Sequence, residues 1–119
     1  MNRIKAILID DESNALEVME WLIKTYCPEV DIVGQFQDGE LALQHLQALQ
    51  ADVVFLDVEM PKLNGFEFLE KVKNRNFDVV FTTAYDKFAV RAFKYAALNY
   101  LLKPVDPDEL MQTIKRISE

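Results

Sequence analysis

Five side chains that could share one reaction each stand at the end of a short apolar run. Asp10 and Asp11 close AILIDD, Asp57 closes VVFLD, Thr83 lies in VVFTTA, and Lys103 closes YLLK just before Pro104. Carboxylates brought together repel one another, which raises their proton affinity unless a cation neutralises them. Hard oxygen donors of this kind suit Mg2+, which binds one or two carboxylates directly and keeps several waters. Mn2+ accepts similar ligands and could substitute. A lysine aimed at such a cluster is charge-compensated and can hold a phosphoryl oxygen. A carboxylate needs no general base to act as a nucleophile, and aspartyl phosphates form this way. The transition state spreads charge over three equatorial oxygens, which a metal, Lys103, Thr83 and a backbone N–H could each hold. The chemistry these residues fit is phosphoryl transfer to an aspartate.

Such a site exists only if the four run ends lie side by side. The runs are short, branched and nearly free of charge, the pattern of strands buried on both faces of a parallel sheet. Strands are expected at Lys5–Ile9, Val30–Phe36, Val53–Leu56, Val79–Thr82 and Tyr100–Leu102. Between them lie helical patterns. Ser13 is placed to cap the first, with Leu16, Met19, Ile23 and Tyr26 as a buried stripe, and Pro28 ends it. Asp38-Gly39 reads as a turn before a helix over Glu40–Gln50 with Leu41, Leu43, Leu46 and Leu49 apolar. Pro61 and Gly65 punctuate a loop before Phe66–Lys73. Asp86 can cap a helix over Lys87–Ala96. Asp106 followed by Pro107 opens a last helix to Ile117. Five βα units predict an α/β, flavodoxin-like fold: a doubly wound, five-stranded parallel sheet in the order 2-1-3-4-5. Ligands then bind beyond the carboxyl ends of the strands, where the five polar groups stand.

With 119 residues, half of them hydrophobic, the chain suits one domain over residues 1–119, with no output domain in it. The formal net charge of −7 argues against gripping a nucleic-acid backbone or an anionic membrane. No apolar stretch approaches the ~20 residues that span a bilayer. The single Cys27 allows no internal disulfide, fits a reducing compartment, and reads as a helix-end packing residue. The lone His45 lies far in sequence from every strand end and reads as a surface residue. A cytoplasmic location is the expectation.

The Asp10-Asp11 pair, the run from Asp57 to Gly65 (DVEMPKLNG), Thr83-Ala84 and Lys103-Pro104 together resemble the response-regulator receiver domains of two-component signalling. The stretch from Thr83 to Tyr95, with NYLLKPV after it, is most similar to receivers of the LytTR group, which carry a separate DNA-binding domain. Asn99 stands where that group usually has aspartate. The resemblance implies Asp57 as phosphoacceptor and Asp11 and Asp57 as direct Mg2+ ligands. It places Asp10 close by or acting through water, and adds the Glu59 backbone carbonyl as a ligand. Thr83 and Lys103 would bind phosphoryl oxygens. Tyr100 matches the family's switch aromatic, expected to fill space vacated as Thr83 moves toward the phosphoryl group. The donor would be the phosphohistidine of a sensor histidine kinase or phosphotransfer protein, or a small acyl phosphate. Glu59 and Tyr85 flank the site and should tune the lifetime of the acyl phosphate. The output would be transcriptional, through a surface of the fourth helix, fifth strand and fifth helix; a stand-alone receiver or phosphorelay module is the alternative. On the fourth helix, Phe88, Ala92 and Tyr95 could form a homodimer surface; the alternative is that they pack inward or sit exposed singly. The protein is read as a signalling phosphoacceptor rather than a turnover enzyme.

Two other chemistries use this fold. A phosphatase of the haloacid dehalogenase type needs Asp-x-Asp, whereas Val58 and Glu59 follow Asp57. A flavodoxin-like electron carrier needs a Ser/Thr/Gly-rich loop after the first strand, where this chain has Asp-Asp-Glu. A degenerate receiver acting only as a binding module would lack active-site residues, and all are present.

Overall fold

A computed structural model describes residues 3–118. Strands β1 (Ile4–Ile9), β2 (Val30–Phe36), β3 (Val53–Leu56), β4 (Asp78–Thr83) and β5 (Asn99–Leu102) alternate with helices α1 (Ser13–Tyr26), α2 (Gly39–Leu49), α3 (Gly65–Lys71), α4 (Ala89–Phe93) and α5 (Pro107–Ser118). The sheet is parallel throughout and runs β2-β1-β3-β4-β5, as expected.

Alternation along the strands divides the core in two. Ile7, Ile9, Val54, Leu56, Val79 and Phe81 face α2, α3 and α4, where Phe66, Phe68 and Ala92 meet them. Ala6, Leu8, Val53, Phe55, Val80 and Leu101 face α1 and α5, where Leu16, Ile23, Leu110 and Ile114 meet them. Fully burying one such side chain is worth roughly 1.5–3 kcal/mol. A one-residue slip of a strand would exchange its two faces, so the packing pins the register. That register aligns the strand ends. Ile9 pairs with Leu56 and Leu56 with Phe81, so the residues that follow, Asp10 and Asp57, emerge together. The Asp57 N–H donates to Ile9 O at 3.0 Å, and Lys103 N–H to Thr83 O at 2.8 Å.

Several helix ends differ from the sequence reading. Glu12, not Ser13, is the N-cap of α1, and Ser13 is its first helical residue. The strand-to-helix turn is closed instead by Asp10, whose Oδ1 accepts the Glu12 N–H at 3.0 Å. Tyr26 is exposed with its ring edge against Trp21, and Leu22 takes the interior place. Asp38 is the cap of α2 rather than a turn residue, accepting the Glu40 N–H at 2.8 Å; Leu41 stays exposed. Asn64 and Glu67 form a reciprocal capping box on α3. The Asp106 carboxylate accepts the Asp108 N–H at 2.9 Å, which opens α5 as expected.

The largest departure is α4, only five residues long where ten are expected. Phe88, not Asp86, is its cap residue. Its carboxyl end breaks at Ala96, which takes the left-handed φ of 55°. Arg75 holds that end by donating to Tyr95 O at 2.7 Å and Ala96 O at 3.3 Å. The Tyr95 hydroxyl donates to Glu70 Oε2 at 2.7 Å. Beyond Phe93 the N–H groups of Lys94, Tyr95 and Ala96 donate to Arg91, Ala92 and Phe93, three residues back, so the segment tightens into 3-10 turns rather than continuing as α-helix.

Candidate functional site

The carboxyl ends of β1 and β3 bring Asp10, Asp11 and Asp57 into one cluster, with a carboxylate oxygen from each within 4.8 Å of the others. Asp10 and Asp57 are buried and Asp11 is half-buried. Lys103 reaches in from the end of β5. Its Nζ donates to Asp10 Oδ2 at 2.6 Å and lies 3.6 Å from Asp57 Oδ2. The Lys103–Pro104 peptide is cis. Burial, then the neighbouring Asp10 charge, pushes the Asp57 carboxyl up to about 7 against the opposing pull of Lys103 and the Glu59 N–H. Burial also works against the Lys103 ammonium. The Asp10 hydrogen bond and the Asp57 charge outweigh it and hold Lys103 above its ordinary value.

This cluster is short of positive charge, with three carboxylates sharing one ammonium. The crowded donors are hard oxygens, the set that Mg2+ selects, so the residues fit that ion. Glu59 sits two residues beyond Asp57, exposed, with its N–H donated to Asp57 Oδ1 at 3.3 Å. The loop beyond is pinned by Gly65, whose N–H donates to Val58 O at 2.8 Å. A Cβ at Gly65 would stand 2.6 Å from the Asp57 carbonyl oxygen, so only glycine lets α3 start this close.

Thr83 and Tyr100 meet on a single residue. The Tyr85 N–H donates to Thr83 Oγ1 at 3.4 Å, while the Tyr85 carbonyl accepts the Tyr100 hydroxyl. Thr83 is fully buried and Tyr100 half-buried, its ring 6.3 Å from that of Phe81. Burial raises the Tyr100 phenol above its ordinary value, which keeps it a donor. Tyr85 itself carries no sequence signal for this part, since its backbone does the work.

The surface expected from Phe88, Ala92 and Tyr95 is not one. Ala92 is 3% exposed in the core, and the rings of Phe88 and Tyr95 pack on Phe66 at 6.2 and 4.9 Å. The exposed apolar residues of α4 are Val90 and Phe93, at 75% and 80%. Asn99 links β5 to α5 by donating its amide to Thr113 Oγ1 at 2.8 Å, away from the cluster. His45 is exposed and stacks on Phe36. Cys27 is buried in the α1 side of the core, which raises its thiol to about 11. No helix among the described residues is long and apolar enough to cross a membrane.

Residues 6–115 match the family of response regulator receiver domains. A response regulatory protein of Vibrio vulnificus is 40% identical over 117 residues, covering 98% of this chain and 48% of that protein. The sensory transduction protein LytT of Bacillus cereus is 40% identical over 116 residues, covering 95% of this chain and 46% of LytT. The chain thus spans about half the length of these curated relatives. Among solved structures, the response regulatory domain of mrkE from Klebsiella pneumoniae superposes with a TM-score of 0.86 at 32% identity, covering 97% of this chain and 95% of that one. The isolated receiver domain of RcsB from Salmonella enterica, solved with a BeF3- phosphomimetic, gives a TM-score of 0.88 at 20% identity, covering 98% and 89%. That likeness speaks for the fold alone.

Proposed function

Since the chain belongs to the response regulator receiver domain family, we propose that Asp57 is its phosphoacceptor, loaded from the phosphohistidine of a sensor histidine kinase or phosphotransfer protein, or from a small acyl phosphate. The observation that carries this reading is the buried Asp57 carboxylate gathered with Asp10, Asp11 and Lys103 at neighbouring strand ends.

An Asp57 oxygen attacks phosphorus, and the bond from phosphorus to the donor nitrogen or oxygen breaks with its electron pair leaving on the donor. A Mg2+ ion held by Asp11, Asp57 and the Glu59 carbonyl, with Asp10 close by, would supply positive charge against the phosphoryl oxygens. Lys103 is already poised between Asp10 and Asp57 and takes one phosphoryl oxygen as a point cation. Thr83 donates its hydroxyl to another. A shift of Thr83 toward the phosphoryl group would lengthen its bond from the Tyr85 N–H, and the carbonyl of that same residue accepts the bond from Tyr100. The phosphoryl group would therefore act on Tyr100 through the backbone of one residue, Tyr85, biasing the surface of α4, β5 and α5 between two states.

That surface includes Val90 and Phe93, the face through which a homodimer would form. Relatives about twice the length of the matched region fit a receiver joined to an output domain, and a DNA-binding domain of the LytTR type is the output this reading favours. The receiver is written on once per signal and does not turn over substrate. The test is incubation with acetyl phosphate and Mg2+, followed by intact mass. The parent chain gains one phosphoryl group and Asp57→Asn gains none; an unmodified parent chain, with Mg2+ binding confirmed, would count against the small-donor route.

A further inference from the structure

The mouth of the site has two unlike walls. One carries the carboxylates of Asp11 and Glu59. The other is aromatic: Phe66 of α3 and Phe88, the cap residue of α4, 6.2 Å apart between ring centroids, with Tyr85 of the preceding loop beyond them, 6.4 Å from Phe88. Each end of this wall carries a cation. The Arg91 guanidinium lies over the Phe66 ring, 4.3 Å from its centroid, and the Lys87 ammonium lies over Tyr85 and Phe88 at 5.5 and 5.1 Å. A cavity of about 500 Å³ separates the walls, and Asp11, Glu59, Asn64, Phe66 and Arg91 line it. Arg91 is the cation in that lining; Lys87 stands outside it.

A guanidinium seated on a buried ring loses little freedom when it engages a second partner, and its planar fork matches a carboxylate. Building on Asp57 as phosphoacceptor, we propose that this cavity is the leaving-group subsite for small acyl phosphates, and that Arg91 binds the carboxylate oxygens of the departing acid. In the step, an Asp57 oxygen bonds to phosphorus, the bond from phosphorus to the acyl oxygen breaks, and its electron pair leaves on the carboxylate. No proton moves. With Asp11 engaged in holding Mg2+, the leaving oxygen still faces the Glu59 carboxylate across the cavity, and a fixed cation opposite stabilises the negative charge that grows on it. A donor that departs uncharged has no such need. Phosphoramidate is one: its bond from phosphorus to nitrogen breaks, and ammonia leaves with the electron pair and the protons it already carries.

The experiment compares initial rates of Asp57 labelling by acetyl phosphate and by phosphoramidate, at varied donor concentration and fixed Mg2+, in the parent chain, Arg91→Gln, Arg91→Lys and Lys87→Gln. A lost charge-assisted contact at a half-open site predicts a fall of about 10-fold in acetyl phosphate efficiency for Arg91→Gln. The phosphoramidate rate should stay within about twofold, since no charged contact is lost there. Arg91→Lys recovers part of the loss, and Lys87→Gln behaves as the parent. Equal losses with both donors, or no loss with acetyl phosphate, would overturn the subsite. Absence of labelling of the parent chain by both small donors would overturn the subsite, whereas absence of labelling by a phosphorylated histidine kinase as well would overturn the phosphoacceptor reading itself.

Discussion

Asp57→Asn should make the fold more stable at neutral and alkaline pH, and the size of the gain should depend on pH. The Asp57 carboxyl is buried beside Asp10 and titrates near 7 in the folded chain, against an ordinary value of 3.8. As pH rises, the unfolded chain gives up this proton first and the folded chain holds it. Wherever the folded state binds more protons, stability falls as pH rises, so Asp57 erodes stability between about pH 3.8 and 7, and the loss levels off above that. The gap between the two values corresponds to roughly 4 kcal/mol once the group is ionised in both states. Between pH 5 and pH 8 the same linkage gives a fall of roughly 2.5 kcal/mol. Asparagine keeps the shape and cannot ionise, so the variant lacks this component while other groups titrate in both proteins. Urea unfolding followed by circular dichroism, with EDTA present, should show the parent losing about 2–3 kcal/mol more than Asp57→Asn from pH 5 to pH 8. Parallel stability profiles for the two proteins across that range would refute the claim that burial and Asp10 hold the proton on Asp57.

Gly65→Ala should lower stability by about 1–3 kcal/mol, because the new Cβ meets backbone rather than a yielding side chain; a melting temperature equal to the parent's would contradict the contact geometry. Tyr100→Phe removes the donor to the Tyr85 carbonyl, costs about 1 kcal/mol, and should shift the Tyr85 and Thr83 amide resonances while leaving those of β1 in place. Phe93→Glu should leave stability within about 0.5 kcal/mol, as an exposed position allows, and abolish any self-association of the phosphorylated chain in sedimentation.

The strands and the cluster were legible because the same physics acts at both levels. A strand buried on both faces must be an uninterrupted apolar run, so its end is marked by the first polar group, and here that group is the site. Asp10, Asp57 and Lys103 stand where the run ends place them. The α4 region was not legible, for a related reason. Phe88, Val90, Ala92, Phe93 and Tyr95 are apolar almost all round a helix, so no periodicity says which face turns inward. Phe66 decides it, by stacking with Tyr95 and meeting Phe88, and Val90 and Phe93 are left outside. The anchoring of the segment after α4 was equally hidden, since Arg75 and Glu70 lie twenty to twenty-five residues upstream of the carbonyls and hydroxyl they engage. Ser13 failed as a cap because Asp10, needed at the site, also satisfies the turn that precedes the helix.

The hold of Arg75 and Glu70 on Tyr95 and Ala96 turns α4 into a lever with a fixed fulcrum. The far end of the segment is moored to α3 and to the loop that follows it, by three hydrogen bonds from side chains. The near end hangs from Phe88 and the Tyr85 peptide, beside the phosphoacceptor. A displacement at Tyr85 would then tilt the segment about Tyr95 rather than slide it bodily along the sheet. The outer face would move most where it is farthest from that pivot, so Val90 would travel more than Phe93 and a partner seated there would feel a change of angle. Cutting the mooring, and not only the switch residues, would uncouple the arrival of phosphate from the motion it drives.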